Sequence, residues 1–130
     1  MAVPDNVSVR VVAARTFRDQ SGRHVTAELL EPTMLGPERW ECAFRITGLP
    51  NEVEGRAQGF DALQALIIGL QGLRFHLERS APEFYWLDGY PGYGIPLYIP
   101  MDYGLEVEQQ LRQLINDEIT KFVERKRGGA

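Results

Sequence analysis

At 130 residues, with 44% apolar and 25% charged side chains, the chain has the make-up of one compact globular domain, not of a disordered or fibrous one. Its net charge of −4 argues against a nucleic-acid partner, because phosphate binding draws on a basic surface. A single cysteine, Cys42, excludes an intrachain disulfide and points to a reducing compartment.

The opening stretch, Met1-Ala2-Val3-Pro4-Asp5-Asn6, has neither the basic start nor the apolar run of a secretory leader. The longest apolar-rich run, Leu63 to Leu73, is too short and too interrupted to span a bilayer. The expectation is a cytoplasmic protein with no membrane role. Val7, Val9, Val11 and Ala13 then alternate with Ser8, Arg10, Val12 and Ala14, the period of a half-buried strand. Asp19-Gln20-Ser21-Gly22 predicts a turn. A second strand carries Val25, Ala27 and Leu29 on one face, and Thr26, Glu28 and Leu30 on the other. Pro32 to Pro37 predicts a loop broken by Gly36-Pro37.

The third strand sets Trp40, Cys42, Phe44 and Ile46 against Glu41, Ala43, Arg45 and Thr47. After the turn Gly48-Leu49-Pro50-Asn51, a fourth strand offers the small inward set Val53, Gly55, Ala57 and Gly59. Four such strands joined by short loops predict an antiparallel meander with one wet face. On that face Arg10, Glu28, Glu41, Arg45, Glu54 and Arg56 can pair across neighbouring strands.

Asp61 to Arg79 reads as the central helix, with Asp61 as N-cap, Gln64 returning a capping bond and Phe60 as a staple. Leu63, Leu66, Ile67, Leu70 and Leu77 form one apolar face, while Ala65, Ile68, Gly69, Gly72 and His76 form a smaller one that a sheet can approach closely. Two apolar faces predict a helix covered on two sides. Ser80-Ala81-Pro82 ends it. Glu83 to Tyr103 follows and holds all five tyrosines, with short extended pieces expected at Phe84–Leu87 and Leu97–Ile99 and a turn at Asp88-Gly89. A last helix, capped by Asp102, is expected from about Leu105 to Arg125, acidic at its start and basic at its end.

The fold predicted is therefore α+β: a four-stranded antiparallel meander, the central helix packed on one face, and the C-terminal helix covering it. No repeat, low-complexity tract or linker interrupts residues 1–130, so one domain is expected.

Strong catalytic signatures are missing: the sequence has no HExxH, CxxC, GxSxG or P-loop. Gly89, Gly92 and Gly94 lack the spacing of a dinucleotide fingerprint. Cys42 sits among core residues, where burial makes a thiol inert. His24 and His76 stand apart, without a second Cys or His at i±4, so no metal site and no cofactor are expected. Glu52 and Glu54 read as a solvated sheet face and Arg125-Lys126-Arg127 as a helix end. The segment in which binding would sit is the aromatic one: Tyr85, Trp86, Tyr90, Tyr93 and Tyr98 on backbone bent by glycine and proline are the candidate partner-binding residues, since tyrosine and tryptophan supply interface hot spots. No catalytic residue is assigned.

The run Gly59-Phe60-Asp61-Ala62-Leu63-Gln64-Ala65-Leu66, followed by Trp86-Leu87, resembles a family of small bacterial domains of unknown function, over roughly residues 40–100. The Tyr/Gly/Pro stretch from Tyr90 to Pro100 stands outside that pattern. A looser likeness is to immunity proteins, which neutralise secreted bacterial toxins by binding them. The missing catalytic constellation together with the tyrosine-rich segment predicts a non-enzymatic bacterial cytoplasmic protein acting through protein contact, with self-association as a homodimer as one form of it. Two other readings remain: a small-molecule pocket or weak hydrolase between sheet and aromatic segment, and a structural homo-oligomer subunit.

Overall fold

A computed structural model of the chain describes residues 9–80, 84–87, 90–91, 94–96 and 103–128. Contacts divide the chain into two compact units, Met1–Tyr98 and Ile99–Ala130. The first is α+β. Its elements are β1 (Val11–Asp19), β2 (His24–Leu30), β3 (Thr33–Gly36), β4 (Arg39–Thr47), β5 (Val53–Gly59), α1 (Ala62–Ser80), β6 (Phe84–Leu87) and the two-residue β7 (Tyr90–Pro91). Among its described residues the second unit contributes one helix, α2 (Leu105–Gly128).

Every strand pairing is antiparallel: β1 with β2 and β6, β4 with β2, β3 and β5, and β6 with β7. Among the described residues the sheet thus has seven strands, where alternation alone predicts four. The added strands are β3, β6 and the two-residue β7. Pro32 to Pro37 is not a loop throughout, because β3 occupies its middle and folds back on the start of β4, with Met34 opposite Trp40. The hairpin closes at Pro37-Glu38, and Glu38 takes the left-handed φ of 55° that this tight reversal needs. The first strand runs on to Asp19, so that Phe17 becomes a fully buried core residue, while Val7 lies outside the described residues. Finally β6 crosses back to lie beside β1, with Tyr85 opposite Arg18.

The β1–β2 turn is tied by Asp19, whose carboxylate accepts from the Ser21 amide, the Ser21 hydroxyl and the Arg23 amide. The Ser21 hydroxyl bond holds the Asp19 carboxyl below the usual carboxylate range, with the amides and the nearby Arg23 charge adding to it against a desolvation penalty. On the outer face Glu28 and Arg45 stand directly opposite, and Arg45 Nε donates to Glu28 Oε1 at 2.6 Å. Glu54 faces Arg45 from the other side. Arg56 reaches Glu41 at 3.5 Å. These are the cross-strand pairs that opposite charges on a wet face form.

The inner face holds the core. Val25, Ala27 and Leu29 of β2 and Cys42, Phe44 and Ile46 of β4 are buried against Ala65, Leu73 and Leu77 of α1, with Phe84 tilted on Phe17 at 5.9 Å between ring centroids. Helix α1 begins as Asp61 requires: Gln64 N–H donates to the Asp61 carboxylate at 2.7 Å. In return Gln64 Oε1 accepts from the Phe60 N–H, one residue earlier than a standard capping box.

The side of α1 that enters the core is Ala65, Gly69, Leu73 and Leu77. The predicted large face does not do this as a set. Leu63 is 67% exposed, and Leu66 and Leu70 only flank the core. Close approach explains the choice, because a β-carbon built at Gly69 would lie 3.0 Å from Leu29 Cδ1 and 3.1 Å from Cys42 Sγ. One at Gly72 would lie 2.5 Å from the Phe44 ring, and one at Gly55 would lie 2.2 Å from the far end of the same ring. Phe44 therefore fills the gap left by two glycines, one on the helix and one on the neighbouring strand.

In the second unit α2 extends to Gly128, three residues past the predicted end. Gly104, at φ 100°, precedes it and accepts from the Glu108 N–H, whereas the predicted cap Asp102 lies outside the described residues. No helix of the described residues is long and apolar enough to cross a membrane.

Gly72→Ala tests the wedge. The added methyl improves helix propensity by about 1 kcal/mol, but overpacking against a ring that cannot retreat costs roughly 1–3 kcal/mol. Urea unfolding is expected to show a net loss, and a Phe44→Leu background to turn the same substitution into a gain. An equal effect in both backgrounds would refute the wedge.

Candidate binding surface

The chain returns to the sheet after α1 through β6. Phe84 and Trp86 share one face of this strand by alternation, and Tyr85 takes the other. Phe84 is buried, whereas Trp86, two residues on, is 38% exposed at the margin of the core. The guanidinium of Arg15 lies over the Trp86 ring at 3.8 Å from its centroid. Arg15 is placed there by β1, where it shares the inward face with Phe17. A charge on a core-facing position is tolerated here because the core opens at this margin.

The described residues Gly94, Ile95 and Pro96 close over this margin. Each of their three carbonyls accepts a side-chain bond: Gly94 O from Arg15 Nη1 at 2.8 Å, Ile95 O from Arg74 Nη1, and Pro96 O from Gln71 Nε2 at 2.8 Å. The Ile95 side chain is buried in the core. Arg74 is held in turn by Glu78, at 3.0 Å one turn further along α1. Gly94 has φ 66°, and a β-carbon there would come within 2.3 Å of the Trp86 ring, so only glycine fits. Three polar side chains from a strand and a helix thus anchor a short backbone strap that an apolar contact alone would not orient.

Beneath the strap lies a cleft of ≈ 200 Å³ lined by Ala13, Ala14, Arg15, Ala27, Leu29, Leu70, Leu73 and the strap itself. Its walls are apolar apart from Arg15 and backbone. It contains no carboxylate, histidine or thiol among the described lining residues. His76 lies elsewhere, packed on Phe44 at 5.7 Å and Phe75 at 5.3 Å. Cys42 is buried, donates to Leu30 O at 3.2 Å, and has its thiol pKa pushed up by burial. It is an inert core residue. Among the described residues no three of His, Cys, Asp and Glu gather as metal ligands would.

Of the five residues singled out from the sequence, Trp86 is the one with a described and exposed side chain. Tyr85 is half-buried on the opposite face of β6. Tyr90 belongs to β7, paired with Leu87. Tyr93 and Tyr98 lie outside the described residues, as do the Asp88-Gly89 turn and the extended piece predicted at Leu97–Ile99. Sequence reasoning missed Arg15, Gln71 and Arg74. Arg15 left a trace, as a lone charge in phase with the inward residues Ala13 and Phe17.

Arg15→Lys keeps the charge but loses the flat guanidinium that stacks on the indole while bonding to Gly94 O. In a Trp40→Phe background, where Trp86 alone reports, the variant is expected to shift the indole emission and lower stability by about 1 kcal/mol. An unchanged spectrum would remove Arg15 from the mount.

Residues 13–97 match the model of a family described as a domain of unknown function, DUF6968. No curated protein and no solved structure matches the chain. The match covers well over half of the 130 residues, and the chain belongs to this family. It begins nearer the N-terminus than the helix motif suggests, taking in β1 to β3, and it includes most of the Tyr/Gly/Pro stretch that stands outside that motif.

Proposed function

We propose that this member of the family is a non-enzymatic bacterial protein, one functional domain over residues 1–130, that binds another protein in the cytoplasm. The contact surface is centred on Trp86, with Tyr85, Tyr90, Tyr93 and Tyr98 as its further candidates. The observation that carries this reading is the mount of Trp86. A large aromatic left 38% exposed, stacked under Arg15 and backed by a strap fixed at three carbonyls, is held ready for contact. Side chains ordered in advance lose little entropy on binding, and partly exposed aromatics on rigid supports are where interface energy concentrates. Toxin neutralisation of the immunity-protein kind is one form such binding takes. The absence of converging titratable groups in the described cleft favours binding over hydrolysis there.

The bulky face of α1 bears on the same reading. Leu63, on the bulky side predicted for this helix, is 67% exposed, so part of that side awaits cover. The C-terminal helix laid across it is one proposed cover. A second copy in a homodimer is another.

Trp86→Ala, and separately Tyr90→Ala with Tyr93→Ala, are expected to lose the proteins that the tagged chain captures from its own cells, with circular dichroism unchanged. An identical captured set from both variants would end the assignment.

The apolar cleft favours one further reading, a small-molecule site. At ≈ 200 Å³ it falls below the usual range for ligand pockets, so it suits a short apolar chain with a polar end near Arg15. Ala13→Leu fills it from the β1 side. Uptake of a fluorescent short-chain fatty acid by the native chain, abolished in that variant at unchanged melting temperature, is the expected result, and no uptake by the native chain excludes the site.

A further inference from the structure

Helix α2 is 24 residues long, about 36 Å at 1.5 Å per residue. None of its residues is buried. Leu111, Leu114, Ile115, Ile119, Phe122 and Val123 form one broad apolar side, and Ile119 and Phe122 are more than half exposed. Within residues 99–130 the described structure holds this one helix, so the apolar side has nothing of its own unit to pack on. A lone helix with such a face is marginal in water unless it finds a partner.

The charges say which partner. Glu106 and Glu108 lie in the first turn, while Lys121, Arg125, Lys126 and Arg127 crowd the other end. One end of the rod is acidic and the other basic. A copy of the same rod laid antiparallel is complementary to it at both ends; laid parallel, it sets like charges together.

We propose that α2 pairs antiparallel with α2 of a second copy of this chain. One register satisfies charge and packing together. With Glu108 of one copy beside Lys126 of the other, Leu111 falls opposite Val123, and Ile115 opposite Ile119. The two-fold axis then passes near residue 117. Glu118, close to that axis, already pairs with Lys121 of its own helix at 3.4 Å, which tempers repulsion between the two copies. Lys126 lies over the Phe122 ring at 5.7 Å, where its stem extends the apolar side. This inference deepens the homodimer option above and stands independently of Trp86.

Sedimentation equilibrium of the full chain at low salt tests it. The native chain is expected to be a dimer. Glu106→Lys with Glu108→Lys, or Arg125→Glu with Lys126→Glu, is expected to weaken it roughly tenfold or more, since each change acts twice by symmetry. Mixing the two variants, one basic at both ends and the other acidic at both, is expected to restore dimers, which also shows that both variant helices still form. Three results overturn the proposal: a native chain that stays monomeric, a dimer indifferent to both charge reversals, or a monomer whose melting temperature falls with Phe122→Asp, which would place the stripe against the chain's own body. Trp86→Ala should leave the dimer intact, so loss of the Trp86 surface and loss of the α2 pairing are read separately.

Discussion

The ring of Phe44 sets the distance between helix and sheet. It fills the space vacated by Gly55 on the adjacent strand and Gly72 on the helix, and it rests against His76 on the same side of α1. Protein interiors are close-packed, so a ring fixed between two backbones leaves α1 little freedom to slide or rotate. Four small or branched residues, Ala65, Gly69, Leu73 and Leu77, then complete the seam along the helix. Large residues at Gly69 or Gly72 would lift the helix off β2 and β4 and open the core. The small face is a requirement of this geometry.

From that fixed distance the rest of the site follows. Only with α1 seated close to the sheet do Gln71 and Arg74, on its flank, reach the carbonyls of Pro96 and Ile95 while Arg15 reaches that of Gly94 from β1. Hydrogen bonds from two guanidinium groups and one side-chain amide to its carbonyls orient the strap. The strap in turn holds the Arg15 guanidinium over Trp86. A change at Gly72 is thereby linked to the exposed indole through packing alone, across one helix and one short loop.

How much of this was legible in the sequence depends on whether the determining contact is local. The alternation of Val25, Ala27 and Leu29, and of Cys42, Phe44 and Ile46, placed two central strands and their inward faces correctly, and Asp61 with Gln64 marked the helix start. Phe84–Leu87 was legible as a strand, but its neighbour was not, since pairing with β1 is settled over more than sixty residues of chain and carries no local signal. β3 was masked by its flanking prolines, which the strand tolerates because they lie just outside it. The small side of α1 expected to meet the sheet holds Ala65 and Gly69, which do enter the core, whereas Leu73 was on neither predicted face and Leu63 of the bulky side stays exposed. Periodicity rewards the bulky Leu63, Leu66 and Leu70, while close approach rewards the small Ala65 and Gly69. The strap was beyond reach altogether, because its acceptors are backbone carbonyls, and a carbonyl has no letter in the sequence.

The family match and the division of the chain coincide closely: residues 13–97 carry the match, and the first compact unit ends at Tyr98. The body that shares the family pattern therefore includes the Phe44 wedge, the strap and Trp86. Helix α2 lies outside the match, with its own apolar side and its own opposed charges. A surface within the family's pattern and a surface beyond it answer to different constraints. Trp86 is held by a packed core, so substitutions there propagate into stability. The face of α2 rests on no core of its own unit, so its leucines, isoleucines and Phe122 are free of packing demands inside that unit. The apolar side of α2, with an acidic first turn and a basic last turn, is what the proposed pairing with an inverted second copy draws on.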